Sequence, residues 1–284
     1  MKRFRTQVQT LAFQYPVIFS FIIMTLGIVL TEIHLENYLK SYIDFQSASY
    51  LTGIFEQGLC SIILAALISG LGLLKSAGFT RPKEWKQLWL IWPVIVLSIL
   101  NGWSLFTGTI VIDTSKPTLI LLFMLLYLST GFFEEFLFRG VVTTVMLQKW
   151  GGTRKGIYLA VIVSSGLFGV LHIINFFMNR FTLLANFTQT IYALFFGVFF
   201  AACLLRNNSI WPVVGAHAIF DICGNFNEIA FVGNFGQIHQ TTWNEAFATV
   251  IITLPLFIYG LFILRKVKPS TQSKVNEAGF TVSY

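Results

Sequence analysis

The sequence predicts an all-α fold, a polytopic bundle of about eight transmembrane helices with both termini in the cytoplasm. Three observations support this prediction: an apolar composition, a series of long apolar stretches and an uneven distribution of basic residues. Of the 284 residues, 55% are hydrophobic and 11% are charged, whereas soluble domains carry about 25% charged residues. The composition therefore excludes an ordinary soluble domain.

Eight stretches approach or exceed the roughly 20 apolar residues that a helix needs to cross about 30 Å of hydrocarbon. The predicted spans are residues 16–33, 50–74, 88–106, 117–147, 156–174, 187–205, 210–229 and 246–264. They divide the chain into four regions. Residues 1–116 hold the first three helices, 117–230 a core of four helices, 231–268 an outer loop and the last helix, and 269–284 a cytoplasmic tail.

The basic residues support this topology, because most of the 19 lysines and arginines lie before the first span, in every second loop or in the tail. They are Lys2, Arg3, Arg5, Lys75, Arg81, Lys83, Lys86, Lys149, Arg154, Lys155, Arg206, Arg265, Lys266, Lys268 and Lys274. By the positive-inside rule, these segments face the cytoplasm. Membrane lipid is therefore an expected partner. Nucleic acid is not, because outside the predicted spans the sequence has no basic run interleaved with aromatic residues.

Charged residues inside the fourth predicted span are the first sign of function. An ionisable residue at the centre of a membrane helix costs about 2.5 to 3.5 kcal/mol, yet this span contains Glu134, Glu135 and Arg139. Residues four apart share a face of a helix, so we expect an ion pair between Glu135 and Arg139. Glu134 points elsewhere and is left to face a cavity, where it can act as a general base.

The fifth and seventh predicted spans carry histidines. Phe168 lies one turn before His172 on the same face and is expected to shield it. His217, Asp221 and Asn225 follow one another at four-residue spacing and predict a polar stripe on one helix face. One acid and two imidazoles in three helices supply the groups that activate water and stabilise an oxyanion.

Each pattern alone has a simpler explanation. A Glu–Arg pair can be a structural clamp, and a lone histidine on an apolar face is often a packing residue. All three patterns nevertheless occur in order inside predicted spans, and they account for most of the ionisable residues there. Glu56 in the second span is the exception, and the sequence assigns it no role.

With these motifs the chain resembles the CAAX protease and bacteriocin-processing (CPBP) family of intramembrane proteases, also called the Abi family. The family signature of Glu-Glu-x-x-x-Arg, Phe-x-x-x-His and His-x-x-x-Asn/Asp matches residues 134–139, 168–172 and 217–221. The similarity extends over roughly residues 117–230. It implies an all-helical membrane bundle that hydrolyses a peptide bond of a membrane-associated protein or a peptide precursor.

The resemblance also implies roles for the motif residues. Glu134 would activate a water molecule with the help of His172, and His217 and Asp221 would orient groups around the oxyanion. Supporting structural and electrostatic roles would fall to Glu135, Arg139, Phe168 and Asn225. Many family members have asparagine at the position of Asp221, and an ionised carboxylate cannot donate a hydrogen bond. Asp221 is therefore expected to orient His217, which then stabilises the oxyanion.

The substrate and the cellular setting are only broadly implied. The resemblance suggests CAAX-type maturation of prenylated proteins, processing of bacteriocin or pheromone precursors, or self-immunity to bacteriocins. A small integral enzyme fits a bacterial plasma membrane, where peptide precursors or self-immunity are favoured over prenylated proteins. The oligomeric state stays open.

Several alternatives remain at this stage. No cofactor is expected, but Glu134, His172 and His217 could hold zinc with an open coordination position, although the chain lacks a His-Glu-x-x-His motif. A thiol mechanism through Cys223 is less favoured, because Cys223 lies on the opposite side of the helix from His217. A proton-coupled transporter would also bury such residues but should show internal repeats. A catalytically silent scaffold of the same family is the last alternative.

Overall fold

The computed structural model describes residues 2–82 and 84–269 of the chain. Throughout this described part the regular structure is helical, and the only strand-like pairings are two isolated bridges, Ile112 with Ala230 and Phe181 with His239. The all-α prediction is therefore confirmed. Apart from its first residue, the predicted tail at 269–284 lies outside the described residues.

The main helices are α1 (Lys2–Gln14), α2 (Pro16–Leu30), α3 (Phe45–Leu71), α4 (Trp92–Asn101), α5 (Pro117–Trp150), α6 (Arg154–Leu171), α7 (Leu183–Asn207), α8 (Trp211–Gly224) and α9 (Trp243–Leu264). Short helical turns at Glu36–Leu39, Trp85–Ile91, Trp103–Phe106, Ile174–Phe177 and Phe226–Ile229 lie between them. Helix α5 contains a π-helical segment, Phe136–Thr143, between the α-helical segments Pro117–Glu135 and Thr144–Trp150.

Five of the described helices are long and apolar enough to cross a membrane: α3, α5, α6 with the short turn after it, α7 and α9. Helices α1 and α2 meet at a bend of 112° and would together make a sixth span. The chain is thus a multi-pass integral membrane protein, but the predicted count of about eight spans is not confirmed. The side of the membrane on which the termini lie stays a prediction.

Helices α4 and α8 explain the lower count. They contain 10 and 14 residues, and at a rise of 1.5 Å per residue even a 14-residue helix is only about 21 Å long. Proline lies at the start of both helices, at Pro93 and Pro212, and glycine marks both ends, at Gly102 and Gly224. Proline fits the first turn of a helix and glycine favours its termination, so two apolar segments that resemble spans form shorter helices.

Side-chain caps define where three of the spanning helices begin. Asp44 accepts a hydrogen bond from the backbone N–H of Ser47 at the start of α3, and this bond lowers the pKa of the Asp44 carboxyl group. Thr153 caps α6 in the same way. Thr242 and Glu245 form a reciprocal capping box at the start of α9. Each cap satisfies backbone donors that the first helical turn leaves unpaired.

Helix α5 lies at the centre of the bundle and packs against α3 and α8, while α7 packs against α6 and α9. Two glycines allow close approach. A Cβ atom at Gly131 would lie 3.0 Å from the backbone oxygen of Val214 and 3.3 Å from the Cβ atom of Ala218. A Cβ atom at Gly169 would lie 2.5 Å from the backbone oxygen of Thr190. Small residues of this kind let membrane helices pack backbone against backbone, and here they bring α5 against α8 and α6 against α7.

Candidate active site

The polar motifs meet inside the bundle, near the middle of two helices. Glu134 and Glu135 lie halfway along the 34 residues of α5, one turn after Gly131. His217 lies halfway along the 14 residues of α8, and His172 directly follows the last residue of α6. Because Gly131 brings α5 close to α8, side chains from the first and third motifs come into direct contact.

Glu135 is the most deeply buried acid of the site, with no exposed side-chain surface. Its Oε1 atom lies 2.8 Å from Nη1 of Arg139, so the predicted ion pair is present. The same Oε1 atom lies 2.6 Å from Nδ1 of His217. A carboxylate oxygen only accepts, so Nδ1 of His217 carries a hydrogen and donates it to Glu135. This contact with His217 was not predicted from the sequence.

The other nitrogen of His217 faces two further acids. Its Nε2 atom lies 3.4 Å from Oε2 of Glu134 and 3.5 Å from Oδ2 of Asp221. The side chains of Glu134 and Asp221 are each 22% exposed, unlike that of Glu135. One imidazole is therefore shared among three carboxylates, and the two partly exposed ones form the open side of the site.

Arg139 is enclosed by aromatic rings. Its side chain is 1% exposed, and its guanidinium carbon lies 4.6 Å from the centre of the Phe168 ring and 5.3 Å from that of Phe200. Contacts of this kind attract a cation to the face of a ring. Phe168 also packs edge-on against His172, at 4.9 Å between ring centres, as predicted. Phe200 lies 5.6 Å from the ring of His217, so the two aromatic side chains that cover Arg139 also pack against the histidines of the site.

His172 is fixed by its own helix end and not by Glu134. Its Nδ1 atom lies 2.9 Å from the backbone oxygen of Phe168, and a carbonyl only accepts, so Nδ1 carries a hydrogen. In the neutral ring the Nε2 atom then has a free lone pair. The backbone oxygen of His172 in turn accepts a hydrogen bond of 2.7 Å from Nδ2 of Asn186. Within the described residues, no hydrogen bond links His172 to Glu134.

Asn225 lies just beyond the last residue of α8. Its Nδ2 atom donates a hydrogen bond of 2.8 Å to the backbone oxygen of Asp221. The predicted polar stripe therefore has two parts: His217 and Asp221 face the other acids, whereas the amide of Asn225 closes the helix end. Its contact with Asp221 is through the backbone and not the carboxylate.

A partly buried acid near the site, Glu228, was not singled out from the sequence. It lies in the turn after α8, and its two carboxylate oxygens accept hydrogen bonds from the hydroxyl groups of Tyr50, at 2.8 Å, and Tyr127, at 3.0 Å. Nε2 of Gln46 donates to Tyr50 and to the backbone oxygen of Glu228. Burial raises the pKa of Glu228, and the two tyrosine hydroxyls partly offset this rise. We call these four residues the Glu228 cluster.

Helical spacing could have revealed this cluster. Tyr127 lies seven residues before Glu134 on α5, and Glu228 lies seven residues after Asp221. Seven residues are about two helical turns and return nearly to the same face. Helices α5 and α8 run in opposite directions. Tyr127 therefore meets Glu228 about two turns along the interface from the place where Glu134 and Asp221 face His217.

The zinc alternative names Glu134, His172 and His217 as ligands. Across the described parts of the chain, no group of three or more His, Cys, Asp and Glu side chains is placed to hold a metal ion. Nδ1 of His217 is hydrogen-bonded to Glu135, and its Nε2 atom faces Glu134 and Asp221 at 3.4 and 3.5 Å. The zinc alternative therefore gains no support from this geometry.

Comparison with known proteins identifies the part of the chain that carries the motifs. Residues 116–223 match the profile of a family described as Rce1-like, type II CAAX prenyl endopeptidase. No curated protein and no solved structure matches the chain. The matched segment runs from the start of α5 to the last turn of α8 and includes all three motifs. This match to a CAAX protease family agrees with the resemblance that the motifs predicted.

Proposed function

We propose that the protein is an intramembrane endopeptidase that hydrolyses a peptide bond with a water molecule activated by Glu134. The observation that carries the proposal is the pairing of a partly exposed carboxylate with an imidazole halfway along α5, inside a segment that matches a protease family. A peptide bond that reaches this depth would meet an acceptor for the proton of water and a donor for the carbonyl oxygen.

The proposed reaction has two steps. Glu134 accepts a proton from water while the water oxygen forms a bond to the carbonyl carbon of the peptide. The proton then passes to the leaving nitrogen, and the carbon–nitrogen bond breaks to give a carboxylic acid and an amine. His172 is not bonded to Glu134, so its predicted assistance would act on the water or the substrate through its Nε2 atom.

Glu135 and Asp221 would share the task of orienting His217. Glu135 fixes the ring through Nδ1, whereas Asp221 lies near Nε2. When the ring is protonated on both nitrogens, Nε2–H is the His217 group available to stabilise the oxyanion, as the sequence analysis expected. Arg139 balances the charge of Glu135 and holds it in place.

We further propose that the reaction needs no metal ion, that the protein lies in a bacterial plasma membrane, and that its substrates are peptide precursors or membrane proteins. The first proposal is supported by the geometry of the described residues, in which no three His, Cys, Asp or Glu side chains are placed to hold a metal ion. The others rest on the family resemblance. Processing of a bacteriocin or pheromone, bacteriocin self-immunity and CAAX-type maturation are the candidate pathways for these substrates.

The test uses purified protein in liposomes with a mixture of quenched fluorogenic peptides: farnesylated peptides with CAAX ends and unprenylated membrane-inserted peptides. Mass spectrometry identifies the cleaved bonds. Glu134→Gln is expected to lower kcat by at least about 100-fold, because it removes the general base, while a chelator should leave cleavage by the wild-type protein unchanged. Glu228→Gln is the matched control, since it makes the same chemical change outside the site.

Equal cleavage by the wild-type protein and Glu134→Gln would contradict the proposed mechanism. Cleavage that a chelator abolishes and zinc restores would contradict its metal independence. If no peptide in the mixture is cleaved by the wild-type protein, the protein is not an endopeptidase for either substrate class, and the scaffold alternative is favoured.

A further inference from the structure

Helix α7 presents a row of polar side chains to the end of α6. Asn186, Gln189 and Tyr192 follow one another at three-residue spacing. Asn186 donates to the backbone oxygen of His172, and Oε1 of Gln189 accepts a hydrogen bond of 2.9 Å from Nδ2 of Asn175. The first two members of the row thus hold the turn that carries His172. The third, Tyr192, lies about one helical turn after Gln189 along α7.

The next turns of α7 show where Tyr192 faces. The ring of Phe196 lies 4.4 Å from that of Phe220 on α8, and the ring of Tyr192 lies 6.3 Å from that of Phe196. One turn further along the same face, Phe200 packs against His217. Tyr192 therefore lies on the face of α7 that is directed toward α8, between the His172 turn and the ring of His217.

The hydroxyl group of Tyr192 is near the reactive acids without being bound to them. It interacts electrostatically with Asp221 and Glu134 and contacts the side chain of Gln189. No hydrogen bond to either carboxylate is present among the described residues. The space between the hydroxyl group and the two acids is thus bordered by the three helices α5, α7 and α8.

An oxyanion in that space needs hydrogen-bond donors. Ionised Glu134 and Asp221 only accept, and Nε2 of neutral His172 has a lone pair where a donor would carry a hydrogen. The guanidinium group of Arg139 is 1% exposed and lies behind aromatic rings. A tyrosine hydroxyl that no carboxylate holds is therefore well suited to supply the missing donor.

We propose that the hydroxyl group of Tyr192 donates a hydrogen bond to the carbonyl oxygen of the scissile peptide bond. The bond strengthens as negative charge develops on that oxygen, and Nε2–H of His217, with its ring protonated on both nitrogens, is the second donor. Tyr192 is then a catalytic residue that touches the substrate from α7, opposite Glu134 on α5. The inference rests on the proposed function and adds a residue to its site.

The test is Tyr192→Phe in liposomes, measured with whichever peptide of the quenched mixture the wild-type protein cleaves. Loss of one oxyanion donor is expected to lower kcat by about 100- to 1000-fold, with KM within about twofold because the donor acts mainly in the transition state. Tyr259→Phe is the control. The Tyr259 ring on α9 stacks on Phe199, away from the acids, and this variant should keep the wild-type kcat.

Replacement of Tyr192 by 3-fluorotyrosine extends the test, because it keeps the shape and the hydroxyl group. It should restore activity at neutral pH and lose it at a lower alkaline pH than tyrosine does, since the fluorinated phenol ionises earlier and can then no longer donate. This measurement also decides the matter if Tyr192→Phe does not fold. An unchanged pH profile would overturn the proposal.

The inference and the proposed function fail in different ways. Tyr192 is not an oxyanion donor if Tyr192→Phe retains kcat within about twofold of the wild-type value or changes KM alone. If Glu134→Gln is inactive in the same assay, the protease assignment stands. If Glu134→Gln is also fully active, the proposed mechanism itself is wrong.

Discussion

Two carboxylates, the buried one of Glu135 and the partly buried one of Glu228, lie along the interface of α5 and α8 and are stabilised in different ways. Glu135 contacts Arg139 at 2.8 Å and His217 at 2.6 Å, so charged and titratable groups surround it. Glu228 lies about two turns away, beyond the end of α8, and accepts hydrogen bonds from neutral tyrosine hydroxyls. Charged and titratable side chains balance the charge of Glu135, whereas the dipoles of two hydroxyl groups stabilise the carboxyl group of Glu228.

The comparison shows that burial of an acid inside a membrane bundle does not by itself mark catalysis. In the Glu228 cluster both carboxylate oxygens have tyrosine hydroxyl partners, and among the described residues no histidine is hydrogen-bonded to this acid. Around Glu135, a histidine links the buried acid to two partly exposed ones. We therefore infer that proton transfer belongs to the first centre and that the second fastens the turn after α8 to α3 and α5.

The largest effect should follow from breaking the charged centre at Arg139. Arg139→Met leaves Glu135 buried beside a neutral side chain, and removing one partner of a buried ion pair costs about 3 to 5 kcal/mol. The free energy of unfolding in detergent measures this cost. The double variant Arg139→Met with Glu135→Gln should recover part of the loss, because it removes both charges. A loss under about 1 kcal/mol for the single variant would show that the pair is not energetically coupled.

A smaller but selective effect is expected for Glu135→Gln. The amide can donate as well as accept, so it no longer fixes a hydrogen on Nδ1 of His217, and kcat should fall on the order of 100-fold. Cleavage of the quenched peptide in liposomes measures this change. Glu228→Gln, the same substitution in the uncharged centre, should change kcat by less than about twofold. Equal losses in the two variants would mean that the centres do not differ in function.

The smallest effect concerns the pH dependence of stability at Glu228. Its raised pKa means that the folded protein binds a proton at a pH where the unfolded chain has lost it. Stability from this group is therefore greatest below the ordinary pKa of glutamate and decreases as the pH rises through the raised value. Between about pH 8 and about pH 5, the wild-type protein should gain stability relative to Glu228→Gln, by about 1 kcal/mol per unit of pKa shift.

Thermal unfolding in detergent across that pH range measures the difference between the two proteins. Asp44→Asn is a useful reference with the opposite sign, because hydrogen bonds from Ser47 lower the pKa of Asp44 and its contribution is lost as the pH falls. A difference between wild type and Glu228→Gln that is independent of pH would show that burial does not perturb Glu228.

Local patterns in the sequence predicted the members of the site but not their contacts. The spacing of Glu135 and Arg139 is a property of one helix, so the ion pair could be derived from periodicity alone. The contact of Glu135 with His217 joins residues 82 positions apart. It depends on how α5 crosses α8, which follows from the small residues Gly131 and Ala218 at their interface.

The sequence by itself determined the helical membrane class and the three motifs, because hydrophobicity and helical spacing are encoded locally. The tertiary structure alone decided that α4 and α8 are short and that His217 is shared among three acids. It also decided that the face of α7 that carries Tyr192 packs against α8 and that Glu228 joins the turn after α8 to α3 and α5. Apolar composition does not report where a helix ends, and contacts between helices depend on packing geometry that no single segment carries.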